Sequence, residues 1–391
     1  MPDKLWTKNF IFITITNFFL GLVLFSLVVV MTNYSLSVYD VSTGGAALTA
    51  SIYLLGSLFG RLYTAKASQK YNAKKLLVIM ILISFLLTFV YIIYIPVGWM
   101  IALRLVHGFF MSVAMTMLGT LVVQIIPKNR RGEGIGYYGI SLVVASAIGP
   151  FLGVMLISEF GFKSIFIMTI FLSLAALFFA YLLKISSQKP VYSKENLQIK
   201  QFIEPSTLPI AILFTLVCIA YSSLIAFISN YSVSLNLVNL GNFFFLIYGV
   251  TVLFSRPFAG KLFDNKGVNY VIYPALLLLT LGLFALSQSP TALWFVVGAI
   301  LIGLGFGNFQ SSSQTLAIQS VPQNRIGVAT ATYFVFMDLG YALGPVILGV
   351  LQDRIGYPHM YLIVSILVFL ILVTYYFIIG KSKSKIVATS K

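Results

Sequence analysis

Three ionisable residues stand inside long apolar stretches of the chain, where burying a charge is costly. Asp338 follows Gly327 by 338 − 327 = 11 residues, which is about 16 Å along a helix and near the middle of a hydrocarbon layer about 30 Å thick. A carboxylate there costs about 2.5 to 3.5 kcal/mol. We expect Asp338 to face a cavity or a partner, where it can bind and release a proton; a fixed ion pair or a protonated packing contact are the alternatives.

Arg104 and His107 are spaced one helical turn apart in another apolar stretch. Arg104 can reach outward to the interface, or face a cavity and there bind an anionic group or tune a carboxylate. His107 is its nearest titratable neighbour, although a lone histidine in a membrane is more often a hydrogen-bonded core residue. With Asp338, these two residues form the candidate proton-coupling set.

Polar residues in otherwise apolar stretches are the candidate substrate contacts. Aromatic rings and amides with few charges suit an amphipathic or weakly cationic compound. The candidates are Asn17, Tyr221, Asn230, Tyr248, Asn308 and Gln314.

Catalytic and metal chemistry find no support in the sequence, so we expect no catalytic residue, metal or cofactor. The two histidines, His107 and His359, are far apart, and the single cysteine, Cys218, excludes an intrachain disulfide. Gly303-Leu-Gly-Phe-Gly307 resembles a nucleotide fingerprint only superficially, because it follows no strand. The chain should not be an enzyme, and an ion gradient should supply its energy.

The amino-acid composition indicates that membrane-spanning helices position these candidate residues. Of the 391 residues 59% are hydrophobic and 9% charged, so a globule could not hide the apolar surface and lipid must be the main solvent. The net charge of +16 comes from basic clusters between apolar runs, which argues against nucleic acid as a partner. The apolar runs predict an all-α integral membrane protein of twelve helices, at residues 10–32, 44–66, 76–95, 98–121, 133–157, 163–184, 207–231, 240–262, 268–287, 291–316, 327–351 and 358–380.

Basic residues predict the orientation and the division of the chain. Of the 25 lysines and arginines, all except Arg104, Lys163 and Arg354 lie on one side of the predicted membrane, which leaves 25 − 3 = 22 on that side. Because basic residues are enriched in cytoplasmic segments, both termini of this inner-membrane protein should lie in the cytoplasm. The first apolar run is too long for a signal peptide, so we expect it to be retained. The hydrophilic stretch 185–206 should be a linker between bundles at 1–184 and 207–391, the second ending in a short basic tail.

An internal repeat connects the two halves at one interval. Arg61 matches Arg256, Arg130 matches Arg325, Pro150 matches Pro345 and Gly161 matches Gly356, and each pair is 195 residues apart. Parallel repeats of six helices each predict two pseudo-symmetric bundles with a binding site between them near the midplane.

The repeat and its motifs resemble the major facilitator superfamily. Arg256-Pro-Phe-Ala-Gly260-Lys-Leu-Phe-Asp264 is similar to the family's cytoplasmic loop motif, whose first-half copy here has Ala65, Gln69 and Asn72 in place of glycine, aspartate and glycine. Arg104 and Gly108, and the run from Ala145 through Gly149-Pro150 to Gly153, are similar to motifs of the drug/proton antiporter group. The resemblance implies gating or conformational roles for Arg61, Glu133, Gly149, Pro150, Gly153, Arg256, Gly260, Asp264, Gly344 and Pro345.

Two of these roles have simpler alternatives. Glu133 can act as a favourable charge at a helix start, or can pair with Arg256 or Lys261 when the carrier opens outward. The glycines and prolines can pack and kink helices without any gating role.

The leading hypothesis is therefore proton-coupled export of a small amphipathic compound by alternating access. Its partners would be the substrate, protons and the lipid bilayer, and we expect a monomer. A proton-coupled importer is the first alternative, and a lipid flippase or a membrane enzyme is less favoured.

Overall fold

The computed structural model describes residues 4–39, 41, 43–185, 202–288 and 291–381. All regular secondary structure in these ranges is helical, as the sequence predicts. Residues 186–201, which make up most of the predicted linker, and the tail after residue 381 lie outside the described part of the chain.

Twelve helices run through the described residues, six in each half. In the first half they are α1 Lys8–Val38, α2 Thr43–Lys70, α3 Ala73–Val90, α4 Val97–Ile125, α5 Arg131–Phe160 and α6 Phe162–Leu182. In the second half they are α7 Leu208–Ser234, α8 Val238–Lys266, α9 Asn269–Ser287, α10 Ala292–Gln319, α11 at 326–355 and α12 at 357–375, the last two forming a single run, Ile326–Tyr375, broken at Gly356.

Local sequence explains where several helices begin and end. The Thr7 hydroxyl accepts a hydrogen bond from the Phe10 N–H, and the Asn72 side chain accepts one from the Lys75 N–H, so both residues cap helix starts. Gly161 and Gly356 separate the last two helices of each half with φ of 75° and 77°, a conformation that favours glycine. These two breaks are 195 residues apart, so the repeat holds at the level of the backbone.

Ten stretches of the described residues are long and apolar enough to cross a membrane. The α11–α12 run counts as one stretch, and α2, which carries Arg61, Lys66 and Lys70, is not among them. Phenylalanines such as Phe171, Phe254 and Phe377 point outward and are largely exposed, which suits contact with lipid.

The loop motif lies in helices, which corrects the sequence-based placement. The predicted helices 240–262 and 44–66 end inside the motif, whereas α8 continues to Lys266 and α2 continues to Lys70. Gly267 caps the end of α8, and α3 begins at its capping residue Asn72, so both helix boundaries lie beyond the motif residues.

The described residues group into two compact units. Unit 1 is Met1–Pro127, Ser141–Glu204 and Pro322–Val335; unit 2 is Lys128–Ile140, Pro205–Val321 and Phe336–Lys391. In unit 1, α2 packs on α4, and in unit 2, α8 packs on α10. A Cβ on Gly108 would lie 2.2 Å from the Tyr53 carbonyl oxygen, so α2 and α4 touch through their backbones.

Candidate functional site

Asp338 lies on α11 in unit 2 and is buried, with 7% of its surface exposed. It lies two residues before Gly340, where a Cβ would be 2.6 Å from the Cys218 Cβ on α7. The helices touch closely there, because a Cβ on Gly340 would lie 2.6 Å from the Thr215 carbonyl oxygen. Asp338 therefore lies where α7 and α11 are in close contact.

An aromatic cluster surrounds the same part of α7. The Tyr221 ring is stacked on Phe306 with ring centroids 3.7 Å apart, and lies 5.6 Å from Tyr248 and 6.3 Å from Tyr341. Tyr221 and Tyr248 are both buried, with 7% and 6% of their surfaces exposed. Two of the predicted substrate contacts are thus brought together, with Phe306 and Tyr341 as members that the sequence did not indicate.

The remaining predicted substrate contacts lie in several places. Asn308 and Gln314 are buried on α10, and the described residues offer no hydrogen-bond partner to Asn308 Oδ1 or Gln314 Nε2. Asn17 donates to the Ser141 hydroxyl at 2.8 Å inside unit 1. Asn230 is exposed near the end of α7. Buried amide atoms without partners are costly in a packed core, so the two α10 side chains are suited to meeting a ligand.

Arg104 and His107 form a buried polar network in unit 1. Arg104 is fully buried and does not reach outward: its Nε donates to the Thr49 carbonyl at 3.1 Å, and its guanidinium lies 4.8 Å from the Tyr53 ring centre. Tyr91 lies beside Arg104 and hydrogen-bonds with His107 Nδ1 at 3.0 Å.

Ser84 completes this network. Its hydroxyl lies 2.9 Å from His107 Nε2, so both ring nitrogens have partners. A histidine held on both sides in this way has a fixed ring orientation. Tyr91 and Ser84 come from α3, and only the packing of α3 on α4 reveals them, because no spacing in the sequence connects the helices.

The second-half copy of the loop motif makes polar contacts with the start of α5. Asp264 accepts hydrogen bonds from the backbone N–H groups of Gly132 and Glu133, at 2.8 and 2.9 Å. Glu133 pairs with Arg130 at 2.7 Å and with Lys261 at 3.8 Å. A carboxylate on the first N–H groups of a helix is favoured by their unpaired donors and by the helix dipole.

Arg256 has a different partner from the one we expected. It donates to the Gly307 carbonyl at 3.1 Å and to Gln310 Oε1 at 2.8 Å, both on α10. Of the two predicted partners of Glu133, Lys261 is therefore the one in contact. Gly260 lies against the Glu133 backbone, where a Cβ would be 2.6 Å from the Glu133 Cα.

The first-half copy makes mainly apolar contacts with the start of α11. Ala65 lies in a buried cluster with Val328 and Ala331, and the Arg61 guanidinium lies 4.7 Å from the Phe334 ring centre. Gln69, which stands where Asp264 stands in the other copy, donates to the carbonyl of Ala65 in its own helix.

An acidic residue of the linker lies beside this copy. Glu204 forms an ion pair with Arg325, and its backbone N–H donates to the Thr332 hydroxyl at 2.9 Å. The repeat matches Arg325 with Arg130, but no pattern in the sequence indicates Glu204 as its partner. The position that matches Glu133 is Val328, which was a signal that the acid for Arg325 comes from elsewhere in the chain.

The glycine–proline motifs make helix contacts inside each unit. A Cβ on Gly149 would lie 3.0 Å from the Phe25 Cβ on α1, and one on Gly153 would lie 3.2 Å from Val30. A Cβ on Gly344 would lie 1.9 Å from the Ser222 hydroxyl on α7. Pro150 and Pro345 lie inside α5 and α11. These contacts match the packing alternative, while a gating role stays a prediction.

Several relatives match much of the chain in sequence. The chain is 23% identical over 334 residues to the staphylopine export protein of Staphylococcus aureus, and the match covers 82% of this chain and 84% of the relative. It is 24% identical over 255 residues to the multidrug resistance protein MdtG of Escherichia coli, covering 63% and 62% of the two chains. An uncharacterised MFS-type transporter of Methanocaldococcus jannaschii is 26% identical over 66% of this chain and 69% of its own.

Solved structures share the fold. The human organic anion transporter MFSD10 superposes with a TM-score of 0.78 at 13% identity, over 96% of this chain and 99% of the other. A proton:xylose symporter gives 0.75 at 11% identity, over 95% and 96%. The family model described as Major Facilitator Superfamily matches residues 11–345. The chain belongs to this superfamily and is a multi-pass membrane transporter.

Proposed function

We propose that the protein exports a small amphipathic compound in exchange for protons, by alternating access. The observation that carries the proposal is the buried carboxylate of Asp338 beside the aromatic cluster of α7, α8, α10 and α11. A site that places a titratable acid next to a substrate-binding surface can make proton binding and substrate binding mutually dependent.

The aromatic cluster and the α10 amides would hold the substrate. Tyr221 and Tyr248 offer ring faces to an apolar or weakly cationic group, and Asn308 Oδ1 and Gln314 Nε2 offer an acceptor and a donor. We retain Asn17 as a contact from the first half, whereas the exposure of Asn230 gives it less support.

Arg104 would support coupling as a fixed positive charge and not as a proton carrier. Its guanidinium is buried against Tyr53 and Tyr91, and His107 is held between Tyr91 and Ser84. In this proposal the network keeps the charge of Arg104 in place while Asp338 changes protonation state.

Two relatives support outward transport, because one is named an export protein and another a multidrug resistance protein. The distribution of lysines and arginines supports cytoplasmic termini in an inner membrane. We propose bundles at residues 1–184 and 207–391 joined by the linker 185–206, acting as a monomer. The motif residues at the starts of α5 and α11 would then make and break contacts as the bundles rock.

Proton flux in liposomes tests the proposal. The protein is reconstituted with an internal pH dye, and lipophilic cations and metabolite pools are screened for substrate-dependent proton movement. Asp338→Asn is compared with Asp353→Asn, which changes an exposed acid of the same helix. We expect proton flux opposite to substrate movement, lost with Asp338→Asn and kept with Asp353→Asn. Flux in the same direction as substrate would favour the importer, and flux that survives in Asp338→Asn would remove this residue from the coupling path.

A further inference from the structure

The end of the linker makes contacts that its position in the sequence does not suggest. Glu204 is buried, with 7% of the residue exposed, although it lies four residues before the start of α7. Its carboxylate binds the guanidinium of Arg325, just before α11, and its N–H binds the Thr332 hydroxyl about two turns further along. Both bonds therefore attach the linker to the first turns of α11.

The internal repeat shows what this carboxylate replaces. In the second copy, Asp264 binds the first N–H groups of α5, and Glu133 neutralises Arg130 within one turn. The matching positions in the first copy are Gln69 and Val328, neither of which is acidic. Arg325 is nevertheless retained at the position that matches Arg130, so without Glu204 it would have neither of the carboxylates that serve the second copy.

The same linker segment also touches α2. The Lys66 ammonium lies 5.9 Å from the centre of the Phe202 ring. Residues 202–204 thus contact both partners of the first copy, the end of α2 and the start of α11. This short segment, with one carboxylate and one ring, therefore bridges α2 and α11. In the second copy, the corresponding helices α8 and α5 are joined by Asp264 of the motif itself.

We propose that Glu204 is a positioning residue that supplies, from the linker, the carboxylate missing from the first copy of the loop motif. The linker end then acts as a latch, defined here as Phe202–Glu204 bound to Lys66, Arg325 and Thr332. Its role in the transport cycle rests on the proposed alternating access, because a latch of this kind must release the start of α11 whenever α2 and α11 separate. Removing one partner of a partly buried charge pair weakens the attachment of the linker end to the start of α11, so its loss should favour release.

Accessibility of the start of α11 tests the latch without any assumption about substrate or protons. In a Cys218→Ala background, Ala331→Cys places a thiol at a position that is 0% exposed, and its labelling by a hydrophilic maleimide is timed. We expect Glu204→Gln and Arg325→Gln each to speed labelling by roughly tenfold, the size of a coupling of about 1.4 kcal/mol. The double variant should add little, and the charge swap Glu204→Arg with Arg325→Glu should restore slow labelling.

Two controls separate the latch from general loosening. Glu159→Gln removes an exposed acid of unit 1 and should leave labelling unchanged. Ala275→Cys reports on a buried position of unit 2, and its labelling should not respond to Glu204→Gln. Equal acceleration at both reporters, no acceleration at Ala331→Cys, or failure of the charge swap would overturn the proposal.

A cross-link connects the latch to transport. Glu204→Cys with Arg325→Cys, joined by a short bifunctional thiol reagent that a reductant can cleave, should stop transport and recover it after reduction. Transport that continues in cross-linked protein would show that the latch need not open. A preparation that transports no tested compound but shows the labelling pattern above would contradict the proposed function and still support the latch.

Discussion

The two copies of the loop motif occupy matching places in the repeat but hold their helices by different chemistry. At the start of α5 the contact is polar, with Asp264 on two backbone N–H groups and Glu133 between Arg130 and Lys261. At the start of α11 it is apolar, with Ala65 against Val328 and Ala331. Both helix starts are therefore packed against the motif helix of their copy, but one contact is made by charged groups and the other by apolar side chains.

Glycine and alanine at one matched position show how the two contacts differ in space. A Cβ on Gly260 would meet the Glu133 Cα and the Gly132 carbonyl oxygen at 2.6 Å, and neither is an atom of a flexible side chain. Ala65, at the matching position, keeps its methyl group in the buried apolar cluster. The second copy is thus a backbone contact with charged support, while the first is a side-chain contact supported from the linker.

The largest effect should come from giving the second copy the residue of the first. Gly260→Ala forces the α8 backbone away from the start of α5 at a cost of about 1–3 kcal/mol. We expect a lower melting temperature in detergent and a loss of most transport activity. The reciprocal change, Ala65→Gly, removes one methyl group and should cost about 1 kcal/mol. Equal effects of the two changes would contradict the difference between the copies.

Removing the carboxylate from the second copy should have the next largest effect. Asp264→Asn keeps one acceptor but loses the charge at the start of α5, at a cost of about 1–2 kcal/mol. The contact should open more often, seen as faster labelling of a cysteine introduced at Ile135, which is 1% exposed. The matched change Gln69→Ala removes a neutral hydrogen-bond donor, which binds the Ala65 carbonyl within α2, and no charge, so it should speed labelling near α11 less than Asp264→Asn speeds it near α5.

Adding a carboxylate to the first copy should give a smaller effect, in the stabilising direction. Gln69→Asp places an acid at the position that matches Asp264, and the N–H groups that match its partners belong to Gly327 and Val328. In the Glu204→Gln background it should recover part of the lost protection of Ala331→Cys, by about 0.5–1 kcal/mol. No recovery would mean that a carboxylate reaches the start of α11 only from the linker.

The smallest expected effect concerns the ring that only the first copy has. Arg61 lies over Phe334, whereas Arg256 faces Gly139 at the matching position. Phe334→Leu removes the cation–π contact and should cost about 0.5–1 kcal/mol, measured as a shift in melting temperature. An equal shift for Phe334→Leu in an Arg61→Gln background would show that the ring stabilises through packing alone.

The sequence predicts the fold well because apolar length and an exact repeat are long-range signals. Twelve helices, the break at Gly161 and Gly356, and the family all follow from them, and the comparisons and the structure confirm these. The ends of the two motif helices were predicted about four residues early, at 66 and 262, because polar and charged residues follow there while α2 continues to Lys70 and α8 to Lys266.

Side-chain partners were much harder to predict from the sequence. Tyr91 and Ser84 meet His107 only because α3 packs on α4, and Glu204 meets Arg325 across 121 residues of chain. No periodicity encodes such contacts. By contrast, Asp338 could be selected from its depth alone, since the cost of a charge in a membrane depends on position and not on the partner.

The most direct test of the proposed coupling compares two modes of transport in one variant. In Asp338→Asn liposomes, exchange of labelled for unlabelled substrate is measured without a proton gradient, and accumulation is then measured with one. We predict that exchange of labelled substrate persists in Asp338→Asn, while gradient-driven accumulation falls to the level of protein-free liposomes. Accumulation at the level of the unchanged protein, in liposomes that also exchange substrate normally, would contradict the role of Asp338 in proton coupling.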